Sequence, residues 1–207
     1  TIYPLQFGDD PLIARDTFVT TNYTATETGE LTFEYYASSD DTISNTKSIW
    51  SIVTENEFGR DKNTSSNSRN YITNDGGGLE LGNLFDIYTS ENLYGVRAYI
   101  HPDYSQPGTK AYGVLYEAGE EFIYLMKTQD KNINADDLGW KDFIFDTPIP
   151  LTAGTQYFIG VGGVSNFQDT IAIGNSGTSQ AQTSYLHDVD GTTNNFTAAT
   201  WYYTFST

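Results

Sequence analysis

Turn-forming residues interrupt this chain roughly every 8–15 residues, and between them apolar residues alternate with polar ones or form short runs. No stretch carries the three-and-four spacing of an amphipathic helix. That rhythm leaves antiparallel strands joined by short turns, and so an all-β chain. The strands read in order, the first candidate being "DTFVTTNYTA", with Phe18 facing opposite to Val19. "ELTFEYYA" puts Leu31, Phe33 and Tyr35 on one face and Thr32, Glu34 and Tyr36 on the other. "SIWSIVTE" sets Ile49 against Trp50. "NLYGVRAYI" puts Tyr94, Val96, Ala98 and Ile100 on one face, with Arg97 and Tyr99 opposite. "KAYGVLYEA", "EFIYLMKT", "KDFIFDTPI", "QYFIGVGGVS", "DTIAIGNS" and "ATWYYTF" follow, the fifth of these as a short buried strand. The expected fold is an antiparallel β-sandwich, jelly-roll-like, with short turns and little or no helix. It forms one module over residues 1–207, and any sub-boundary falls in the polar stretch 59–78.

Composition agrees with this reading. Sixteen Tyr and twelve Phe suit pleated surfaces, and nineteen Gly supply turns. The net charge of −17, from 27 acidic and 10 basic residues, repels phosphate backbones and anionic lipid. Nucleic acid is therefore excluded as a partner. Membrane insertion is not expected either, since no apolar run is long enough to span a bilayer as a helix. Without cysteine there is no disulfide, thiolate metal site or cysteine nucleophile. The chain begins at Thr1 rather than Met, which reads as a processed product or a piece of something longer.

Chemistry is sparse. The glycine run in "NDGGGLELGNLFDI" lacks the helix and lysine of a phosphate cradle; an acid, Glu80, follows instead. It reads as a joint between strands. Gly95, Gly113 and Gly160 sit inside strands, where glycine marks a bulge or a close backbone approach. The two histidines are His101, in a turn before Pro102, and His187, before "DVDG". No G-x-S-x-G elbow or H-E-x-x-H pair accompanies them. The acidic clusters "ENE" (55–57) and "EAGEE" (117–121) carry no recognisable glycosidase spacing. No catalytic residue is assigned, and an enzyme is not expected.

Two loops could hold calcium. "DKNINADD" spaces Asp130, Asn132, Asn134 and Asp136 as alternate oxygen donors, and "HDVDG" adds Asp188 and Asp190. Neither set is complete, and solvated turns favour the same residues. Aromatic rings offer platforms for sugars. Of Tyr35–Tyr36 and Tyr202–Tyr203, one of each pair must face outward, so Tyr36 and Tyr202 are binding candidates along with Trp50. The bland reading puts Trp50, Trp140 and Trp201 in the core.

Several phrases read together. "SIVTENEFGRD" (51–61) precedes "GGGLELGNLFDIYTSENLYGVRAYI" (76–100) and "GTKAYGVLYE" (108–117). "INADDLGWKDFIFDTPIPLTAGTQYFIGVGG" (133–163), "DTIAIGNSG" and a terminal Trp-containing strand complete the series. Over roughly residues 48–205 the chain resembles a β-sandwich module of large secreted and cell-surface proteins of Bacteroidetes, which often carry a type IX secretion signal. The ending "WYYTFST" departs from that pattern. The resemblance implies a secreted or surface address and a modular parent, and it implies no catalytic residues. The expected function is a non-catalytic adhesion, spacer or surface-display module whose partners are neighbouring modules. The alternative is a carbohydrate-binding module beside a polysaccharide-degrading enzyme. Polysaccharide or another surface protein is the expected ligand.

Overall fold

The computed structural model describes residues 26–37, 45–54, 56–59, 69–74, 77–164, 170–178, 182–189, 195–198, 201–203 and 205–206. The chain separates into two compact units, Thr1–Glu55 and Asn56–Thr207, a division just before the polar stretch. In the first unit, β1 (Gly29–Ala37) and β2 (Asn45–Val53) form an antiparallel pair, running from Gly29 opposite Val53 to Ala37 opposite Asn45.

The second unit begins with β3 (Arg69–Asn74), β4 (Gly77–Asp86), β5 (Glu91–Ile100) and β6 (Lys110–Ala118). Then come β7 (Ile123–Lys127), β8 (Lys131–Asn132), a single 3-10 turn at Ala135–Asp137, and β9 (Gly139–Leu151). β10 (Gln156–Gly163), β11 (Ile171–Thr178), β12 (Ser184–Asp188), β13 (Asn195–Ala198), β14 (Trp201–Tyr203) and β15 (Phe205–Ser206) complete it. All pairings are antiparallel, and no α-helix occurs among the described residues.

Two sheets face each other. One runs β13–β12–β4–β10–β6–β7, with β8 continuing beyond β7 along β6. The other sets β9 on one edge of β5; β15 and the end of β11 lie on its other edge, with β3 and β14 on β11. The glycine run joins the two. Thr73 pairs with Gly78 and Asn74 with Gly77, so β3 of one sheet turns directly into β4 of the other. Two of the three glycines are thus strand residues, and the run is a joint.

Period-two alternation fills the space between the sheets. Leu81, Phe85, Leu115, Ile159 and Val161 point in from one sheet. Val96, Ala98, Ile100, Phe143 and Ile173 meet them from the other. As expected, β11 is a buried strand over Ile171–Asn175. Tyr94 breaks the expected alternation. The register shifts between Leu93 and Gly95, so Leu93 turns inward and Tyr94 is 62% exposed. The cause is a break in the pairing: Leu93 lies opposite Ile149 and Gly95 opposite Ile144, so four residues of β9, 145–148, lie against Tyr94 alone and the alternation does not carry across. The "YG" pair marked the irregularity but not its effect on Tyr94.

The two sheets differ on their outer faces. β5 alternates buried and accessible positions, so its outer face meets water. β6 is buried from Ala111 to Tyr116 and β10 from Tyr157 to Gly163, on both faces. A second apolar cluster therefore lies outside the first sheet. Leu84, Tyr112, Val114, Tyr116 and Phe158 form it, covered by Phe122, Tyr185 and Phe196.

Candidate functional sites

The buried outer face holds a polar row. Strand register sets Phe196, His187, Glu80, Gly162 and Tyr112 side by side on β13, β12, β4, β10 and β6. Glu80 is only 2% exposed. Tyr112 donates its hydroxyl to Glu80 Oε1 at 2.9 Å, and Tyr116 donates to Oε2 at 2.8 Å. His187 Nδ1 lies 2.7 Å from Oε2. Tyr112 must lean across β10 to arrive, and Gly162 makes that passage. A Cβ at Gly162 would lie 2.5 Å from Tyr112 Cζ and 2.6 Å from its hydroxyl oxygen. Gly160 serves a related end, since a Cβ there would collide with the Leu81 carbonyl of β4. The close approach expected at Gly160 is therefore real, and it is made by protein backbone.

An isolated buried carboxylate is strongly disfavoured, and three donors around Glu80 offset that penalty. Burial, then the charge of Glu80 and the hydrogen bonds to it, push the Tyr112 and Tyr116 hydroxyls well above the ordinary tyrosine value. Both therefore stay protonated as donors. His187 Nδ1 faces the carboxylate, in position for an Nδ1–H to donate to it. The ring stacks on Phe196 at 4.2 Å between centroids and meets Tyr116 edge-on at 5.5 Å. A carboxylate holding Nδ1 is how a catalytic triad orients its base. Here no Ser or Thr is hydrogen-bonded to the other ring nitrogen among the described residues, and aromatic rings cover the imidazole. The arrangement positions β12 on β4. A second buried pair, Ser184 Oγ donating to Asn83 Oδ1 at 2.7 Å, fixes the same register three strand positions away.

The opposite outer face, on β5 and β9, carries no covering layer among the described residues apart from Glu57 on Arg97. Three cross-strand pairs lie along it: Tyr99 with Trp140, Arg97 with Asp142, and Gly95 with Ile144. The rings of Tyr99 and Trp140 meet edge to face at 5.6 Å. Trp140 is thus on a surface sheet face, contrary to a core assignment, because its strand position shares parity with exposed Asp142 and Ile144. Arg97 holds Asp142 through Nε at 2.6 Å and Nη2 at 3.4 Å, and Glu57 through Nη1 at 2.5 Å. Hydrogen bonding to Asp142 raises the Arg97 pKa above its ordinary value. Ile144 is 62% exposed and reaches over Gly95, where a Cβ would meet its Cδ1 at 2.8 Å. Tyr94 stands exposed at the bulge beside this pair. Successive pairs are two residues apart, so the strip runs about 14 Å at about 3.4 Å per residue.

The other predicted residues fall elsewhere. Asp130 pairs with Lys127 at 3.0 Å. Asn132 lies in β8, opposite Lys110. Asn134 opens the 3-10 turn and donates both its backbone and side-chain N–H groups to Asp137 Oδ2 at 2.9 and 3.1 Å. Asp137 is also held by Lys141. Asp136 is exposed in that turn, and Asp188 is exposed at the end of β12. The alternation around 130–136 thus comes from a short strand that plugs Ile133 into the core, followed by a turn. Among the described residues, no three His, Cys, Asp or Glu side chains cluster as a metal site would. Asp190 lies outside the described residues. Register sets Tyr36 opposite Thr46, Trp50 opposite Thr32 and Tyr202 opposite Gly177; their side chains lie outside what is described. His101 is buried against Tyr104 and accepts the Asp103 N–H at 3.3 Å. Burial lowers its pKa, which suits a neutral packed ring.

No protein-family profile, curated protein or solved structure matches this chain.

Proposed function

We propose that this chain is a non-catalytic module of a larger secreted or surface protein, and that it engages its target through the outer face of β5 and β9. The observation that carries this reading is the open strip on that face. It presents a Tyr–Trp pair, an Arg–carboxylate pair, and an apolar end with an exposed tyrosine, all on rigid strands. The buried Glu80 is committed to three internal partners, which favours a structural role for the most enclosed carboxylate among the described residues.

The same strip favours polysaccharide as the target. Rings stack on the apolar faces of pyranoses, and the guanidinium and carboxylate meet hydroxyls from either side. The net charge of −17 disfavours polyanions, so the ligand is a neutral glycan. A glycan array with wild type, Tyr94→Ala and Trp140→Ala tests this. Binding by wild type and its loss in both variants is expected. Binding that ignores both changes would move the site elsewhere. Turnover of a glycan that is lost on changing one carboxylate would replace the reading with an enzyme.

A further inference from the structure

Strand β7 ends one sheet of the sandwich, and its exposure is unusual for an edge. Ile123, Tyr124, Leu125 and Met126 are 58%, 53%, 38% and 41% exposed, so both faces of the strand meet water. Among the described residues β7 pairs only with β6, which leaves its outward backbone groups without strand partners. Natural sheets protect such edges with charge, proline or a covering element, because an open apolar edge invites another strand. Here the protection is absent from the strand and sits at its ends. Glu120 and Glu121 precede it, and Lys127 closes it, with its ammonium beside Asp130 and over the Tyr112 ring.

We propose that β7 is the contact through which two copies of this chain pair, edge to edge and antiparallel. Antiparallel pairing sets the acidic start of one β7 against the Lys127 end of the other, twice over by symmetry. A parallel pairing would oppose like charges instead. The apolar residues between the charged ends then cover one another, and the outward N–H and C=O groups gain partners. The contact is isologous, so it closes at two copies. The register shift between Leu115 and Tyr116, where β7 carries the extra residue Leu125, twists this edge further and keeps the pairing short. Five residues a side bury less than the roughly 1,200 Å² of a standard interface, so the pair is reversible and concentration-dependent.

Sedimentation velocity of the full chain at rising concentration, at about 0.15 M ionic strength so that repulsion between two copies of charge −17 is screened, tests this. Wild type should pass from monomer to dimer and stop there. Glu120→Lys with Glu121→Lys, both on exposed residues, should weaken the dimer about tenfold. Adding Lys127→Glu should restore it, because the charged ends are then exchanged. A cooperative urea transition verifies that each variant is folded. A wild type that stays monomeric throughout would overturn the proposal. So would a dimer indifferent to the double reversal, or one that the added Lys127→Glu fails to rescue. Glycan binding on β5 and β9 is untouched by these changes, so this test and that of the binding face fail separately.

Discussion

The two outer faces of the sandwich use the same ingredients for different ends. Each has a carboxylate, tyrosines and a basic group aligned across neighbouring strands. Over β4, β10 and β6 they are sealed beneath Phe122 and Phe196, and Glu80 has three partners within 2.9 Å. Over β5 and β9 nothing comparable lies on top among the described residues, and Arg97 and Asp142 keep 39% and 49% side-chain exposure. The difference shows where polar pairing is obligatory. A covered carboxylate without donors would unfold the cover, whereas an open ion pair contributes little to stability and stays available to a ligand.

Substitutions can break this contrast, and the buried face should respond most. Glu80→Ala leaves two hydroxyls and an imidazole N–H without their acceptor, and should lower unfolding free energy by about 3–5 kcal/mol in urea titration. Gly162→Ala forces Tyr112 away from Glu80 and should lose about 1–3 kcal/mol. In a Tyr112→Ala background the same methyl should do less harm, and a double-mutant cycle measures that coupling. On the open face, Arg97→Ala should change stability by less than about 1 kcal/mol while weakening glycan retention. The Asp137–Lys141 pair gives the smallest effect. The Lys141 hydrogen bond holds Asp137 below the ordinary carboxylate range. Its stabilisation is therefore present above about pH 4 and fades as pH falls through the folded-state value. Asp137→Asn should be slightly less stable than wild type at neutral pH and should converge with it in acid.

Calcium sharpens the same contrast at the Asp130–Asp136 loop. Lys127 and Lys141 already neutralise carboxylates there. Melting curves in calcium and in excess chelator should superimpose; a higher melting temperature in calcium, lost on Asp130→Asn with Asp136→Asn, would place an ion on the loop.

Much of the sandwich was legible because inward positions alternate strictly. Val96, Ala98 and Ile100 read directly from "GVRAYI", and the glycine joint from the failure of its context as a phosphate site. Tyr94 was misplaced because a bulge changes parity without changing composition. The polar row was invisible for another reason. Glu80 and His187 are 107 residues apart and meet only through strand register. One local signal pointed to it: Tyr112 and Tyr116 share a strand face, and the glycines of "GVGG" offer the space to lean across. The exposed strip needed the pairing of β5 with β9, which Arg97 and Asp142 do not disclose separately.

The central claim is that one outer face holds the fold and the other holds the ligand. Affinity electrophoresis of wild type and Tyr94→Ala through neutral polysaccharide gels tests it most directly. Retardation of wild type by at least one polysaccharide, abolished in Tyr94→Ala at unchanged stability, is the predicted result. Equal migration of the two proteins in every gel, whether retarded or not, would contradict it.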